Sequence, residues 1–174
     1  MIFPCFANKW SSFFPKFCEY HKNDDTKIFL LGAKEGVAEV AKERINQKVG
    51  REMIVGTYSP PFGFEKDEKE CQHIVEILRN SMANVVLVGL GNPKQTKWIY
   101  KYKEHLPNIK VFLALGATID FEAGNVRRAP MVFQKLALEW LYRLMKEPKR
   151  MYRRYLIEDK PFFRLLWQQK RGRY

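Results

Sequence analysis

Short apolar runs alternate with longer amphipathic segments along most of the chain. The apolar runs predict buried strands at about Lys27–Leu31, Met53–Gly56, Val85–Val88 and Lys110–Leu115. Apolar residues at helical spacing predict helices at about Glu35–Gln47, from Glu65 onward and at Lys94–Glu104. Strands that alternate with helices in this way indicate parallel βαβ units. We therefore predict an α/β fold with a Rossmann-like parallel sheet flanked by helices.

The C-terminal part of the chain has the pattern of basic helices. A helix is predicted after Pro130, and Pro148 and Pro161 each begin a further helical segment. We predict a Rossmann-like domain over residues 1–147 and a basic amphipathic helical appendage over residues 148–174.

Most of the excess positive charge lies in this C-terminal part. The chain holds 31 Lys and Arg against 19 Asp and Glu, a net charge of +12. Residues 143–174 alone carry 11 basic and 3 acidic side chains, a net charge of +8. Such a tail suits anionic lipid head groups, a phosphate-rich substrate or nucleic acid. The alternative is a solvated helical face that only keeps the protein in solution.

Composition excludes several classes of protein. With 46% hydrophobic and 14% aromatic residues in 174, the chain can form a core and is not a disordered polypeptide. The three cysteines (Cys5, Cys18 and Cys71) include no CxxC pair, which favours a reducing cytoplasm over a disulfide framework. The histidines show no ligand spacing, so we expect no metal site and no cofactor. No apolar run approaches the ~18–20 residues that span a bilayer.

In an open parallel sheet, ligands bind beyond the carboxyl ends of the strands. That rule selects four loops, at residues 32–36, 59–63, 89–95 and 116–128. In the third loop, glycines allow close backbone approach, while Asn92, Lys94, Gln95 and the helix start behind Pro93 offer hydrogen bonds and positive charge to a diphosphate. The alternative is a strand-to-helix turn that binds no ligand and in which glycine and proline only allow the backbone to turn.

The fourth loop combines carboxylates with arginines. Asp120 suits a ribose hydroxyl or the orientation of a base, and Arg127 and Arg128 suit bidentate phosphate binding. The alternative is a local network of ion pairs that fixes a long loop.

Three ordered motifs resemble the WecG/TagA/CpsF family of glycosyltransferases. They are GNPKQTKW at Gly91–Trp98, GATIDFEAGNVRRAP at Gly116–Pro130 and LEWLYRLMKEPKRMYRRY at Leu138–Tyr155. The stretch FLLGAKEGVAE at Phe29–Glu39 agrees as well, so the resemblance covers roughly residues 27–157.

The resemblance implies transfer of a sugar, often N-acetylmannosamine, from a UDP-sugar to a polyprenyl-diphosphate-linked acceptor, with inversion at the anomeric carbon. The products of such enzymes are cell-surface polymers such as teichoic acid and exopolysaccharide. It also implies a peripheral protein at the inner face of the bacterial membrane. The basic tail would then contact diphosphate and lipid. Aromatic residues alternate with basic ones in this tail, as they do in nucleic-acid-binding segments. Because the resemblance already accounts for the basic charge, we expect no nucleic acid partner.

The candidate site residues combine this resemblance with the four loops. The candidate catalytic residues are Asn92, Gln95, Arg150, Arg153 and Arg154. The candidate substrate-binding residues are Gly32, Ala33, Ser59, Phe62, Gly63, Gly91, Lys94, Asp120, Arg127 and Arg128.

The sequence departs from the family pattern at several places, two of which bear on catalysis. Thr96 stands where the family usually has glutamate. Only 26 residues precede Lys27, and none resembles the family's N-terminal segment, which includes the aspartate assigned as general base. We therefore expect a shortened or divergent member, a homo-oligomer or a partner subunit that completes the site. The alternative function is a non-catalytic UDP-sugar-binding relative that acts as a subunit or regulator.

Overall fold

The computed structural model describes residues 10–116, 118–125, 139–146 and 148. The first two ranges belong to one compact unit and the last two to another, and each unit is described by itself. The helices of the first unit are α1 (Trp10–Tyr20), α2 (Val37–Val49), α3 (Glu68–Asn80), α4 (Lys94–Tyr102) and α5 (Thr118–Glu122). Its strands are β1 (Ile28–Gly32), β2 (Ile54–Tyr58), β3 (Val85–Gly89) and β4 (Val111–Leu113).

The four strands form one parallel sheet in the order β2-β1-β3-β4. Ile28 of the central strand β1 pairs with Ile54 on one side and with Val85 on the other. Each pair of neighbouring strands runs parallel. The α/β class and the parallel sheet are thereby confirmed.

The central strands β1 and β3 are buried on both faces and are apolar at almost every position. Leu30 and Leu87 face a cluster that includes buried residues of α1, α2 and α5. Leu31 and Val88 face a second cluster with α3 and α4. This two-sided burial explains why β1 and β3 are uninterrupted apolar runs rather than alternating ones.

Helix α1 was not predicted from the sequence. Phe14 and Cys18 of this helix are buried in the core with α2. Arg51 ties the segment after α1 in place, since its guanidinium donates to the main-chain carbonyls of His21, Lys22 and Thr26 at 2.7 to 3.0 Å.

The structure differs from the prediction at three places. A 3-10 turn at Phe64–Lys66 precedes α3, which begins at Glu68 because the Asp67 carboxylate accepts hydrogen bonds from the amides of Lys69 and Glu70. The segment after β4 holds the short helix α5 rather than a continuous loop. Strand β4 ends at Leu113, where the amide of Leu115 turns back to the Leu113 carbonyl at 3.0 Å.

The second unit contains the helix α6 (Glu139–Lys146), which lies within the helix predicted after Pro130. The predicted boundary at residues 147 and 148 stays a prediction, and most of the predicted basic appendage lies outside the described residues. Within the described ranges, no helix has the length and apolar character that a bilayer span requires.

Candidate active site

The carboxyl ends of β1 and β3 lie at the point where the chain changes direction across the sheet, which is where an α/β fold is expected to have its ligand crevice. Strand β2 lies on one side of β1 and β3 on the other, so the connections leave β1 and β3 toward opposite sides. In α/β sheets this is the place where ligands bind. The loops with the sequence-predicted residues begin here.

Gly32 and Gly89 are in close main-chain contact at this point. A β-carbon added at Gly32 would lie 2.7 Å from the carbonyl carbon and oxygen of Gly89, and Gly32 has a φ of +114°. Only glycine fits both the contact and the dihedral angle. Ala33 follows with a φ of 67°, and its amide donates to the Gly89 carbonyl at 3.4 Å. Gly32 and Ala33 therefore lie directly beside the end of β3, at the expected edge.

The loop after β2 is attached to the same edge. The Ser59 hydroxyl donates to the Gly32 carbonyl at 3.3 Å, which links this loop to the end of β1. Gly63, with a φ of 86°, begins the 3-10 turn Phe64–Lys66. Between them, the Phe62 side chain is fully exposed to solvent.

Tyr58, at the end of β2, is held by α3. Its hydroxyl donates to Glu70 at 2.7 Å, and this hydrogen bond together with burial raises the pKa of Tyr58 to about 12. The phenol therefore stays protonated at neutral pH and ties the strand to the helix rather than acting as a base.

The loop after β3 leads directly into α4. Gly91 has a φ of 80°, and its carbonyl accepts from the amide of Gln95 at 2.9 Å. Gly91 and Asn92 are exposed at the edge. The N-cap residue Pro93 makes no side-chain hydrogen bond to the start of α4, which is closed instead by the main-chain bond from Gln95 to Gly91.

Lys94 is the point at which two of the predicted loops meet. Its ammonium forms an ion pair with the Glu65 carboxylate, which follows β2 in the chain. The same ammonium lies 4.9 Å from the centre of the Phe62 ring. The hydrogen bond from Lys94 is the main cause that lowers the pKa of Glu65, so this carboxyl is charged at neutral pH.

Glu65 was not predicted as part of the site. In the sequence it resembles an acidic residue in the first turn of a helix, and no spacing rule connects it with Lys94.

Gln95 is the buried polar residue of the edge. Its Nε2 donates to the Ala114 carbonyl at 3.0 Å, beyond the end of β4. Its Oε1 is buried and has no hydrogen-bond partner in the part of the chain that the structure describes. A β-carbon added at Gly116 would lie 3.1 Å from this oxygen and 3.5 Å from Cα of Gly91. Gly91, Gln95 and Gly116, from two of the predicted loops, therefore meet at one point.

Asp120 is the remaining predicted site residue within the described part of the chain. Asp120 lies on α5, partly buried, and its main-chain carbonyl accepts from the amide of Asn125 at 3.0 Å. The neighbouring Ile119 packs against the end of β3, because a β-carbon added at Gly89 would lie 2.8 Å from it. The predicted arginines lie outside the described residues; they are Arg127, Arg128, Arg150, Arg153 and Arg154.

Across the described residues, His, Cys, Asp and Glu side chains form no group of three or more that could hold a metal ion. What the edge offers is a lysine, a buried amide oxygen, backbone amides and closely packed glycines. These groups suit a ligand that carries both an anion and a hydrogen-bond donor.

The fold and this edge define an α/β protein whose ligand crevice lies beyond the carboxyl ends of parallel strands. The model of the Glycosyl transferase WecG/TagA/CpsF family matches residues 8–174, and the chain belongs to this family.

A curated relative matches as well. The chain is 36% identical over 124 residues to an N-acetylglucosaminyldiphosphoundecaprenol N-acetyl-beta-D-mannosaminyltransferase of Bacillus spizizenii. The alignment covers 71% of this chain and 46% of that protein, so it spans about half of the relative's length.

Proposed function

We propose that the chain binds a UDP-sugar and contributes to transfer of an N-acetylmannosamine-like sugar to a polyprenyl-diphosphate-linked acceptor in cell-surface polysaccharide synthesis. The observation that supports this most directly is the meeting of two family motifs at Gln95 and Gly116. The motif Gly91–Trp98 supplies the buried Oε1 of Gln95, and the motif that begins at Gly116 supplies the glycine beside it. The relative's printed activity supports the nature of the sugar and the acceptor.

In this proposal the donor lies across the crevice with its diphosphate near Lys94 and the start of α4. Departure of UDP leaves negative charge on the diphosphate, and a lysine with oriented amides stabilises that charge as it develops. Arg127 and Arg128, and Arg150, Arg153 and Arg154 of the basic tail, are proposed to add further positive charge. Asn92 is proposed to contact the reacting sugar, and Asp120 the nucleoside.

Gln95 is proposed to accept a hydrogen bond from the donor. Since Nε2 is already engaged with the Ala114 carbonyl, Oε1 is the buried atom that still lacks a partner among the described residues, and it can only accept. A sugar hydroxyl or an N–H group meets this requirement, whereas an ionised phosphate oxygen does not. We therefore propose that Gln95 contacts a hydroxyl or N–H group of the UDP-sugar and that Lys94 contacts its diphosphate.

Transfer with inversion is proposed to occur by attack of an acceptor hydroxyl on the anomeric carbon, with loss of its proton to a base and departure of UDP on the opposite face. The base is proposed to come from a homo-oligomer or a partner subunit that completes the site. The C-terminal tail, whose net charge is strongly positive, is proposed to hold the protein at the inner membrane surface.

Calorimetric titration of the full chain with UDP tests the binding part of this proposal. We expect binding by the parent chain and weaker binding by the variants Gln95→Ala and Asp120→Ala. Absence of UDP binding by the parent would overturn the proposal. Release of UDP from the UDP-sugar in the presence of a lipid-diphosphate acceptor tests transfer, and binding without turnover would favour the non-catalytic alternative.

The membrane part is tested separately. We expect the full chain to bind anionic liposomes and not single-stranded RNA at the same salt concentration. The reverse result would contradict a membrane role for the tail.

A further inference from the structure

The Glu65 carboxylate forms an ion pair with the Lys94 ammonium. The two residues belong to different loops, one after β2 and one after β3, and both loops lie at the carboxyl edge of the sheet. Their ion pair therefore spans the edge on which the proposed diphosphate site lies.

The backbone at Glu65 is held in place by the fold. The turn Phe64–Lys66 is fixed by the buried Phe64 side chain, and hydrogen bonds join Lys66 N to the Gly63 carbonyl at 3.0 Å and Asp67 N to the Phe64 carbonyl at 2.9 Å. This anchored turn presents the carboxylate to Lys94.

The Phe62 ring supports the lysine from a second side. Its centre lies 4.9 Å from Nζ of Lys94, and it comes from the same loop as Glu65. The contact between the Lys94 ammonium and the ring does not involve Glu65. Lys94 can therefore keep this contact when its ammonium pairs with another anion.

We propose that Glu65 is an internal counter-ion, which competes with the diphosphate of the bound nucleotide for Lys94 and so weakens nucleotide binding. This proposal rests on the proposed function. A diphosphate at Lys94 must displace the carboxylate and then remains close to its negative charge, and both effects lower affinity. For a transferase the consequence is faster release of the nucleoside diphosphate product.

The test compares the full-length parent chain with Glu65→Gln by calorimetric titration with UDP, inorganic pyrophosphate and uridine. We expect the variant to bind UDP and pyrophosphate roughly threefold to tenfold more tightly, since one repulsion is removed and Lys94 is released from its partner. Uridine carries no phosphate, so its affinity is expected to be unchanged.

Glu68→Gln is the matched control. Glu68 is also an exposed glutamate paired with a lysine, at 2.6 Å from Lys101, and its substitution changes the net charge by the same amount. A gain confined to Glu65→Gln shows that the effect is local to Lys94. An equal gain in affinity for UDP and pyrophosphate in both variants would show that the effect comes from net charge, and it would overturn the proposal.

Lys94→Gln completes a double-mutant cycle. If Glu65 acts through Lys94, Glu65→Gln loses most of its effect on UDP affinity in the Lys94→Gln background. If the parent binds UDP and the Glu65→Gln variant binds UDP no more tightly than the parent, the counter-ion proposal for Glu65 is wrong while the proposed function stands. Failure of the parent and the variant to bind UDP or pyrophosphate would overturn both. Thermal unfolding of each variant, with Glu65→Ser as a second substitution, confirms that folded proteins are compared.

Discussion

The side-chain amide of Gln95 donates to the main-chain carbonyl of Ala114 at 3.0 Å, which joins the first turn of α4 to the segment beyond β4. Because a carbonyl can only accept, this hydrogen bond directs Nε2 toward Ala114 and leaves Oε1 as a buried acceptor without a partner among the described residues. A residue that donates and accepts is thereby converted into a fixed acceptor beside Gly91 and Gly116.

We expect Gln95→Met to lower the affinity for the UDP-sugar about tenfold, or ~1.4 kcal/mol, because the ligand's donor group loses its buried acceptor. Methionine keeps a similar volume but also loses the hydrogen bond to Ala114, so thermal unfolding is measured to confirm that the variant is folded. Calorimetric titration measures the change. Thr96→Ala is the control, since Thr96 is the exposed neighbour on the same helix and should bind like the parent. Equal affinity of the parent and Gln95→Met would show that Oε1 contacts no part of the ligand.

The sheet could be predicted from the sequence because its central strands are buried on both faces. An uninterrupted apolar run of only four residues, such as Val85–Val88, is typical of a parallel strand that is covered on both faces. The rule for the carboxyl edge then selected the loops that hold Gln95 and Lys94. Helix α5 was overlooked because it has only five residues, between Gly116 and Gly124.

The partners of the site residues could not be predicted in the same way. Glu65 pairs with Lys94, and Gln95 with Ala114, only because parallel strands bring loops that are distant in the chain to one edge. Side-chain periodicity contains no information on such pairs. Helix α1 could not be predicted for a related reason. It packs through Phe14 and Cys18 against core residues that are distant in the chain.

Asn46 is expected to be important for the stability of the edge strand β2. Its Oδ1 accepts from the amides of Met53 and Ile54 at 3.0 and 2.7 Å, and its Nδ2 donates to the Ile54 carbonyl at 3.0 Å. We expect Asn46→Ala to lower the free energy of unfolding by about 2–3 kcal/mol, because main-chain groups at the start of β2 lose partners. Urea denaturation measures this loss. Gln47→Ala, at the exposed neighbouring position, should stay within ~0.5 kcal/mol of the parent. Similar losses in both variants would contradict the role of Asn46.

Cys18 should be chemically inert in the folded protein. Burial, followed by the charge of Glu122, raises the pKa of the Cys18 thiol to about 12, so the reactive thiolate is scarce at neutral and mildly alkaline pH. We expect iodoacetamide at about pH 8 to leave Cys18 unmodified in the folded chain and to label it in urea. Mass spectrometry of the peptide that contains Cys18 distinguishes the two cases. Rapid labelling without denaturant would show that α1 opens or that the thiol is accessible.

Gly32 and Gly50 separate the effect of close packing from that of backbone conformation. Both have positive φ angles, +114° and +78°, but only Gly32 has a neighbour within 4 Å of an added β-carbon. We expect Gly50→Ala to cost about 1 kcal/mol of unfolding free energy, from the dihedral angle alone. Gly32→Ala should cost about 3 kcal/mol or more, because its β-carbon would meet the main chain of Gly89 and one strand end must move. Urea denaturation gives both values, and UDP titration of the folded Gly32→Ala protein reports whether the crevice has moved with the strand. Equal losses of stability would mean that the ends of β1 and β3 are not in the close contact from which the crevice is built.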